Sequence, residues 1–187
     1  MIKLRTGLFT AAAVVLGSGL TIAATQGSSN AATAAPATAA PAAPHPVIGG
    51  ATLHTTSVDL PPSAWVTTPL AVRLPRAGTY ELDANVRGRL QGNYQLNTYI
   101  VARLWDDNTA APVPYSQRLV YQIIDNDTSS GVVGGNNTAP INEWVTVHGP
   151  TTIHLQAQDN NAVGTATIAQ IYSDVNGYTT LRWVRVG

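Results

Sequence analysis

Thr79-Tyr80-Glu81-Leu82-Asp83-Ala84-Asn85-Val86-Arg87-Gly88-Arg89-Leu90 is the stretch whose reading decides the fold. Tyr80, Leu82, Ala84 and Val86 alternate with Glu81, Asp83, Asn85 and Arg87. A period of two places successive side chains on opposite faces of an extended chain, so one face enters a core and the other meets water. Gly78 in front and Gly92-Asn93 behind supply turn chemistry at both ends. The same alternation recurs at 152–158, with Ile153, Leu155 and Ala157 inward and His154, Gln156 and Gln158 outward.

Outward from these two segments, further strands are expected at 52–60, 66–74, 98–105, 117–124, 143–148, 165–173 and 178–186. The breaks between them carry Pro61-Pro62, Pro75, residues 108–114, residues 125–140, Gly149-Pro150, residues 159–161 and Asn176-Gly177. The last of these is a strong hairpin signal between two β-rich runs. No segment sustains a helical period. The expected fold class is all-β: a two-sheet antiparallel jelly-roll β-sandwich over residues 47–187.

Ahead of that body, residues 1–25 have the layout of a signal peptide. Lys3 and Arg5 precede an uncharged apolar run over residues 8–22, and Gly17, Ser18 and Gly19 interrupt the run, which argues against a stable membrane span. Cleavage is expected between residues 24 and 34. Residues 26–46 are an Ala/Pro/Thr-rich linker in which Pro36, Pro41, Pro44 and Pro46 preclude helix. Too little apolar mass is present there to form a core, so the linker is expected to be disordered. This layout implies a secreted, extracellular product, free or held at a cell wall.

Cysteine is absent, so no disulfide can staple an exported domain and the fold must hold by its core. Once the signal is removed the body is mildly acidic and its strong cations are all arginines, which excludes a nucleic-acid interface built on a basic face.

Two strands carry bulk on both faces. In 98–105, Ile100, Ala102 and Leu104 oppose Tyr99, Val101 and Trp105; in 178–186, Leu181 and Trp183 oppose Val184 and Val186. A sandwich strand needs one apolar face, so the second is expected under a loop, a ligand or another subunit. Tyr99, Val101, Trp105 and Trp183 form the candidate oligomer interface on this reading. The tryptophans Trp65, Trp105, Trp144 and Trp183 serve either core and subunit contact or stacking on sugar faces. Trp144, alternating with Val145 and Val147, has the best claim to point outward. It joins Tyr121 and His154 as the candidate ligand-binding set.

The recurrent acidic loops raise the question of calcium, which takes about six to eight oxygens. Asp125-Asn126-Asp127 opens like a calcium loop but lacks glycine at the sixth position and has Asn136 where a glutamate would close it. Solvated turns are expected instead. His148 and His154 lack a third ligand for zinc, so neither metal nor cofactor is implied. Glu81, Asp83 and Glu143 have the spacing of solvated strand residues, and no nucleophile stands beside a base. The chain is expected not to be an enzyme. The sequons Asn126-Asp127-Thr128 and Asn136-Asn137-Thr138 are expected in surface loops.

The order of features resembles the jelly-roll superfamily of tumour necrosis factor and the complement globular heads. Three pieces carry the resemblance: Leu74-Pro75-Arg76-Ala77-Gly78-Thr79-Tyr80 leading into the long strand, Thr152-Ile153-His154-Leu155-Gln156-Ala157, and the closing Gly177-Tyr178-Thr179-Thr180-Leu181-Arg182-Trp183-Val184-Arg185-Val186. It spans residues 52–187. The body lacks the family's phenylalanines, with Tyr80, Leu181 and Trp183 in place of those rings, and no collagen-like Gly-X-Y stalk precedes it. The resemblance implies a sandwich of about ten strands, a homotrimer formed through the inner sheet, and a binding role without catalysis. A glycan or a cell-surface protein is the expected further partner. The alternatives are a carbohydrate-binding module and, third, a hydrolase.

Overall fold

In the computed structural model, which describes residues 47–54, 57–128 and 131–187, the deciding stretch lies within one long strand, β4 (Gly78–Asn93). Tyr80, Leu82, Ala84 and Val86 are all fully buried there, as their period requires. The expected signal peptide and the whole of the expected linker lie outside the described residues.

The other strands among the described residues are β1 (Ile48–Thr52), β2 (Ser57–Asp59), β3 (Val66–Leu74), β5 (Leu96–Asp106), β6 (Ala111–Pro112), β7 (Arg118–Asp125), β8 (Val132–Val147), β9 (Thr151–Val163), β10 (Ala166–Tyr172) and β11 (Thr180–Arg185). No described residue is helical. In sheet one, β8 runs along one edge of β4, while β11 and β10 share the other edge end to end, flanked by β1 and β2. In sheet two the order is β3-β9-β5, with β7 and β6 on the far edge of β5.

The antiparallel pairs β1·β11, β3·β9, β4·β8 and β5·β7 nest inside one another about the β6 segment. Residues 47–187 thus form one long hairpin whose pairs, the short β2·β10 going with β1·β11 into sheet one, are dealt alternately to the two sheets. That winding is the jelly roll. Between the sheets pack Leu82, Leu90 and Trp183 from sheet one and Ile100, Leu104, Ile153 and Leu155 from sheet two. Each such aliphatic side chain contributes about 1.5–3 kcal/mol by leaving water, which is how a chain without cysteine holds together.

Four expectations needed correction. The break at residues 125–140 is largely strand: β8 begins at Val132 and pairs with β4 along its whole length. Its turn-like residues serve the seam between the sheets. A Cβ on Gly135 would collide with the Tyr121 hydroxyl, Asn137 Nδ2 donates to the Val120 carbonyl at 3.2 Å, and Arg118 pairs with Glu143 at 2.5 Å. Pro140 is tolerated because β8 is an edge strand of its sheet. The second sequon accordingly lies on a strand, with Asn136 exposed. The break at 159–161 is also strand, since β9 runs through to Val163; Asp159 is buried there, accepting from Thr98 Oγ1 at 2.9 Å and from Asn161 Nδ2 at 2.7 Å.

The third concerns Asn176-Gly177. The turn exists, with reciprocal backbone bonds between Asp174 and Gly177, yet β10 and β11 do not pair with each other. They continue in one direction along β4, and residues 173–179 make an excursion over its outer face. Arg87 of β4 holds that excursion. Its Nη1 donates to Asp174 Oδ1 at 2.5 Å and to the Gly177 carbonyl, its Nη2 donates to the Tyr172 hydroxyl at 2.9 Å, and its backbone N–H donates to Thr179 Oγ1 at 3.0 Å. The expected strand at 52–60 is likewise divided into β1, which ends at Thr52, and the short β2.

Candidate binding faces

Each sheet turns one face away from the core, and the cross-strand register fixes which side chains share it. On sheet one, Ile48 pairs with Val184, Val184 with Glu81, and Glu81 with Trp144. Partners in an antiparallel register point the same way, so these four make one row across β1, β11, β4 and β8. Ile48, Val184 and Trp144 are 63%, 42% and 66% exposed. The neighbouring row is Gly50, Arg182, Asp83 and Asn142, all exposed.

On sheet two, Tyr99, Val101, Arg103 and Trp105 of β5 share the outer face, beside Gln158, Gln156 and His154 of β9. The face is not bare. Val101 is almost fully buried, Tyr99 and Trp105 are half-buried, and Arg103 lies over the indoles of Trp65 and Trp105. Burial among these groups lowers the Arg103 pKa from its ordinary value, and the guanidinium remains charged. Trp65 stands just before β3, on a segment tied down by the Ser63 N–H donating to the Asp159 carbonyl at 2.8 Å.

The residues singled out in the sequence are therefore distributed over the molecule. Trp144 is outward on sheet one. His154 is on sheet two, its Nε2 3.1 Å from Asp107 Oδ2 and its Nδ1 without a partner. Tyr121 is partly buried at the seam, packed against the core. They do not converge. Tyr99, Val101 and Trp105 do share one face, but Trp183 does not join them: it is 4% exposed, inside the sandwich, with its ring edge-on to Tyr80 at 5.4 Å. The Gly49 backbone closes over it, and a Cβ at that position would come within 2.6 Å of the indole. A ring covered by its own chain offers nothing to a partner.

Apart from 159–161, which is strand, the acidic segments work as turns. Asp106, Asp125 and Asp174 each accept from the backbone N–H two residues on, at 3.0, 2.9 and 2.8 Å. Among the described residues, no three His, Asp or Glu side chains converge as metal ligands. His148 and His54 are exposed. Trp65 was among the tryptophans considered for sugar stacking, but Arg103 and Gln156 were not candidates in the sequence. The signal was available, because Arg103 and Trp105 have the same strand parity.

No family model matches the sequence, and no curated protein matches it. Among solved structures, the infectious bursal disease virus Gt strain is similar at 14% identity, over 74% of this chain and 33% of that one, with a TM-score of 0.44. The Gx strain is similar at 12% identity over 75% and 34%, with a TM-score of 0.42, and the VP2 subviral particle of that virus at 14% over 75% and 37%, with 0.40. The chain spans about one third of the length of each of these proteins. The jelly-roll architecture itself stands on the strand order of this chain.

Proposed function

We propose that this protein is an exported, non-catalytic binding or structural module that self-associates through the outer face of sheet one, as a homotrimer of the kind its resemblance to the tumour necrosis factor superfamily implies. The observation that carries the reading is the row Ile48–Val184–Glu81–Trp144, where three exposed apolar side chains from three strands stand in line. The occupant is a second copy of the chain. Glu81 and Asp83 on β4 lie beside Arg182 on β11, so the face carries both charge signs and a rotated copy can meet its own complement. This moves the self-association face from Tyr99, Val101 and Trp105 to the opposite sheet.

Light scattering after size-exclusion chromatography on the full chain tests it. The expected result is an oligomer at micromolar concentration that Val184→Glu converts to monomer with an unchanged far-UV spectrum. A parent protein that elutes as a clean monomer overturns the reading. Export is tested separately by N-terminal sequencing of the product from culture medium, with a new terminus expected between residues 24 and 34.

A further inference from the structure

The outer face of sheet two carries an array that self-association through sheet one leaves unused. Arg103 reaches across β9, its guanidinium carbon 3.8 Å from the ring centroid of Trp65 and 5.1 Å from that of Trp105. Its Nε donates to Gln156 Oε1 at 2.9 Å, and Gln156 Nε2 in turn donates to Thr67 Oγ1 at 3.0 Å. One edge of the guanidinium is thereby fixed and its plane set by the indoles. The other edge is open: among the described residues no carboxylate pairs with Arg103, and its two terminal nitrogens have no hydrogen-bond partner.

That arrangement is pre-organised for a planar anion. A guanidinium held by stacking loses little rotamer freedom when it binds, and its free fork matches a carboxylate or sulfate in a two-bond geometry. The half-exposed indoles beside it offer the apolar surface on which the C–H face of a sugar ring packs. The next row adds Trp105 against His154. An open sheet face, unlike a cleft, receives a polymer segment lying across it.

We propose that this face binds an acidic polysaccharide, with a sugar ring against the Trp65–Trp105 pair and its carboxylate or sulfate on the free N–H groups of Arg103. The shared chemistry is an anion attached to a pyranose ring. The proposal is independent of the oligomeric state.

The test is titration of the full chain, followed by tryptophan fluorescence and calorimetry, with four probes: polygalacturonate, dextran sulfate, uncharged dextran and polyglutamate. At least one acidic polysaccharide is expected to bind about tenfold or more tightly than dextran and polyglutamate. Which of the two binds better identifies the anion. Arg103→Gln and Trp65→Ala are each expected to weaken that binding about tenfold, and Arg103→Lys, which keeps charge but not the fork, by several-fold. Val175→Ala, at an exposed position in the 173–179 excursion, serves as the unaffected control, and near-UV circular dichroism verifies the fold of each variant. Equal binding of polyglutamate, equal binding of dextran, or wild-type binding by a folded Arg103→Gln overturns the proposal.

Discussion

Trp183 and Trp144 are the same residue type on the two strands that flank β4 in one sheet, and truncating each to alanine separates a core ring from a surface ring. Trp183 is 4% exposed and Trp144 is 66% exposed. A tryptophan side chain buries about 150–250 Å², which at roughly 25 cal/mol per Å² gives an upper figure of about 4–6 kcal/mol. A compact denatured state reduces it; the cavity left under Gly49 and the lost edge-to-face contact with Tyr80 add to it. The expected cost of Trp183→Ala is therefore about 3–5 kcal/mol. That is a large part of the roughly 5–15 kcal/mol available to a domain. With an m-value of about 1–3 kcal/mol per molar urea, the midpoint should fall by about 2 M. Trp144→Ala should change stability by no more than about 0.5 kcal/mol in dilute protein. Far-UV circular dichroism in urea is the suitable probe, because fluorescence itself changes when a tryptophan is removed. If Trp183→Ala unfolds within about 0.5 kcal/mol of the parent, the parity of β11 against β4 is wrong and the inward face of sheet one has been misread.

Three further outcomes follow from single contacts. The Asp174 carboxyl is held below the ordinary carboxylate range, chiefly by the hydrogen bond from Arg87, against an opposing desolvation. A depressed folded value means that its stabilisation is complete above about pH 4 and is lost as pH falls through the lower folded value. The melting temperatures of the parent and Asp174→Asn should differ at neutral pH and converge in acid; a gap independent of pH refutes this. Gly164 has φ +67°, and a Cβ there would lie 2.9 Å from the Gln95 carbonyl oxygen, so Gly164→Ala should cost about 1–2 kcal/mol in urea unfolding. Gly88 faces the opposite sheet, where a Cβ would meet Val120 Cγ1 at 2.8 Å and Ile100 Cδ1 at 3.4 Å; Gly88→Val should overpack that contact by about 1–3 kcal/mol, and a neutral result would show that the sheets can separate there.

The central strand was legible because each of its alternate side chains does what the period says: Tyr80, Leu82, Ala84 and Val86 are fully buried. The first half of β8 was not, because Gly135 and Asn137 are chosen by the seam with β7, Gly134 by close approach to β4 and Pro140 by an edge position, and those residue types also spell a turn. The Asn176-Gly177 turn was legible, but its consequence was tertiary, since Arg87, 87 residues from Asp174 in the chain, decides that the segment wraps over β4 and does not close a hairpin. For the faces, periodicity correctly separated Tyr99, Val101 and Trp105 from Ile100, Ala102 and Leu104, and Leu181 and Trp183 from Val184 and Val186, yet the interface reading joined the inward-facing Trp183 to an outer set. Which parity of a strand faces inward depends on its partner's register, and the pairing of Trp183 with Leu82 is visible only in the fold. Arg103 escaped notice because an arginine on an alternating strand ordinarily marks a solvated position. What distinguishes this one is Trp65, 38 positions earlier in the sequence and brought beside it by the β3-β9-β5 order.

Because the two proposed surfaces lie on opposite sheets, they can act together. An oligomer closed through sheet one would present one Trp65–Arg103–Trp105 array per subunit on its outside, and a long polymer could engage several arrays at once. Linked sites convert the second binding event into an intramolecular one, with a gain of about 10²–10⁴ over the single site. Val184→Glu, which is far from Arg103, should then reduce apparent affinity for a long acidic polysaccharide while leaving affinity for a short oligosaccharide of the same sugar unchanged. Arg103→Gln should reduce both. If Val184→Glu yields a folded monomer that binds long and short ligands as the parent does, the two faces are not coupled in this way, and the exposed row on sheet one contributes nothing to recognition on sheet two.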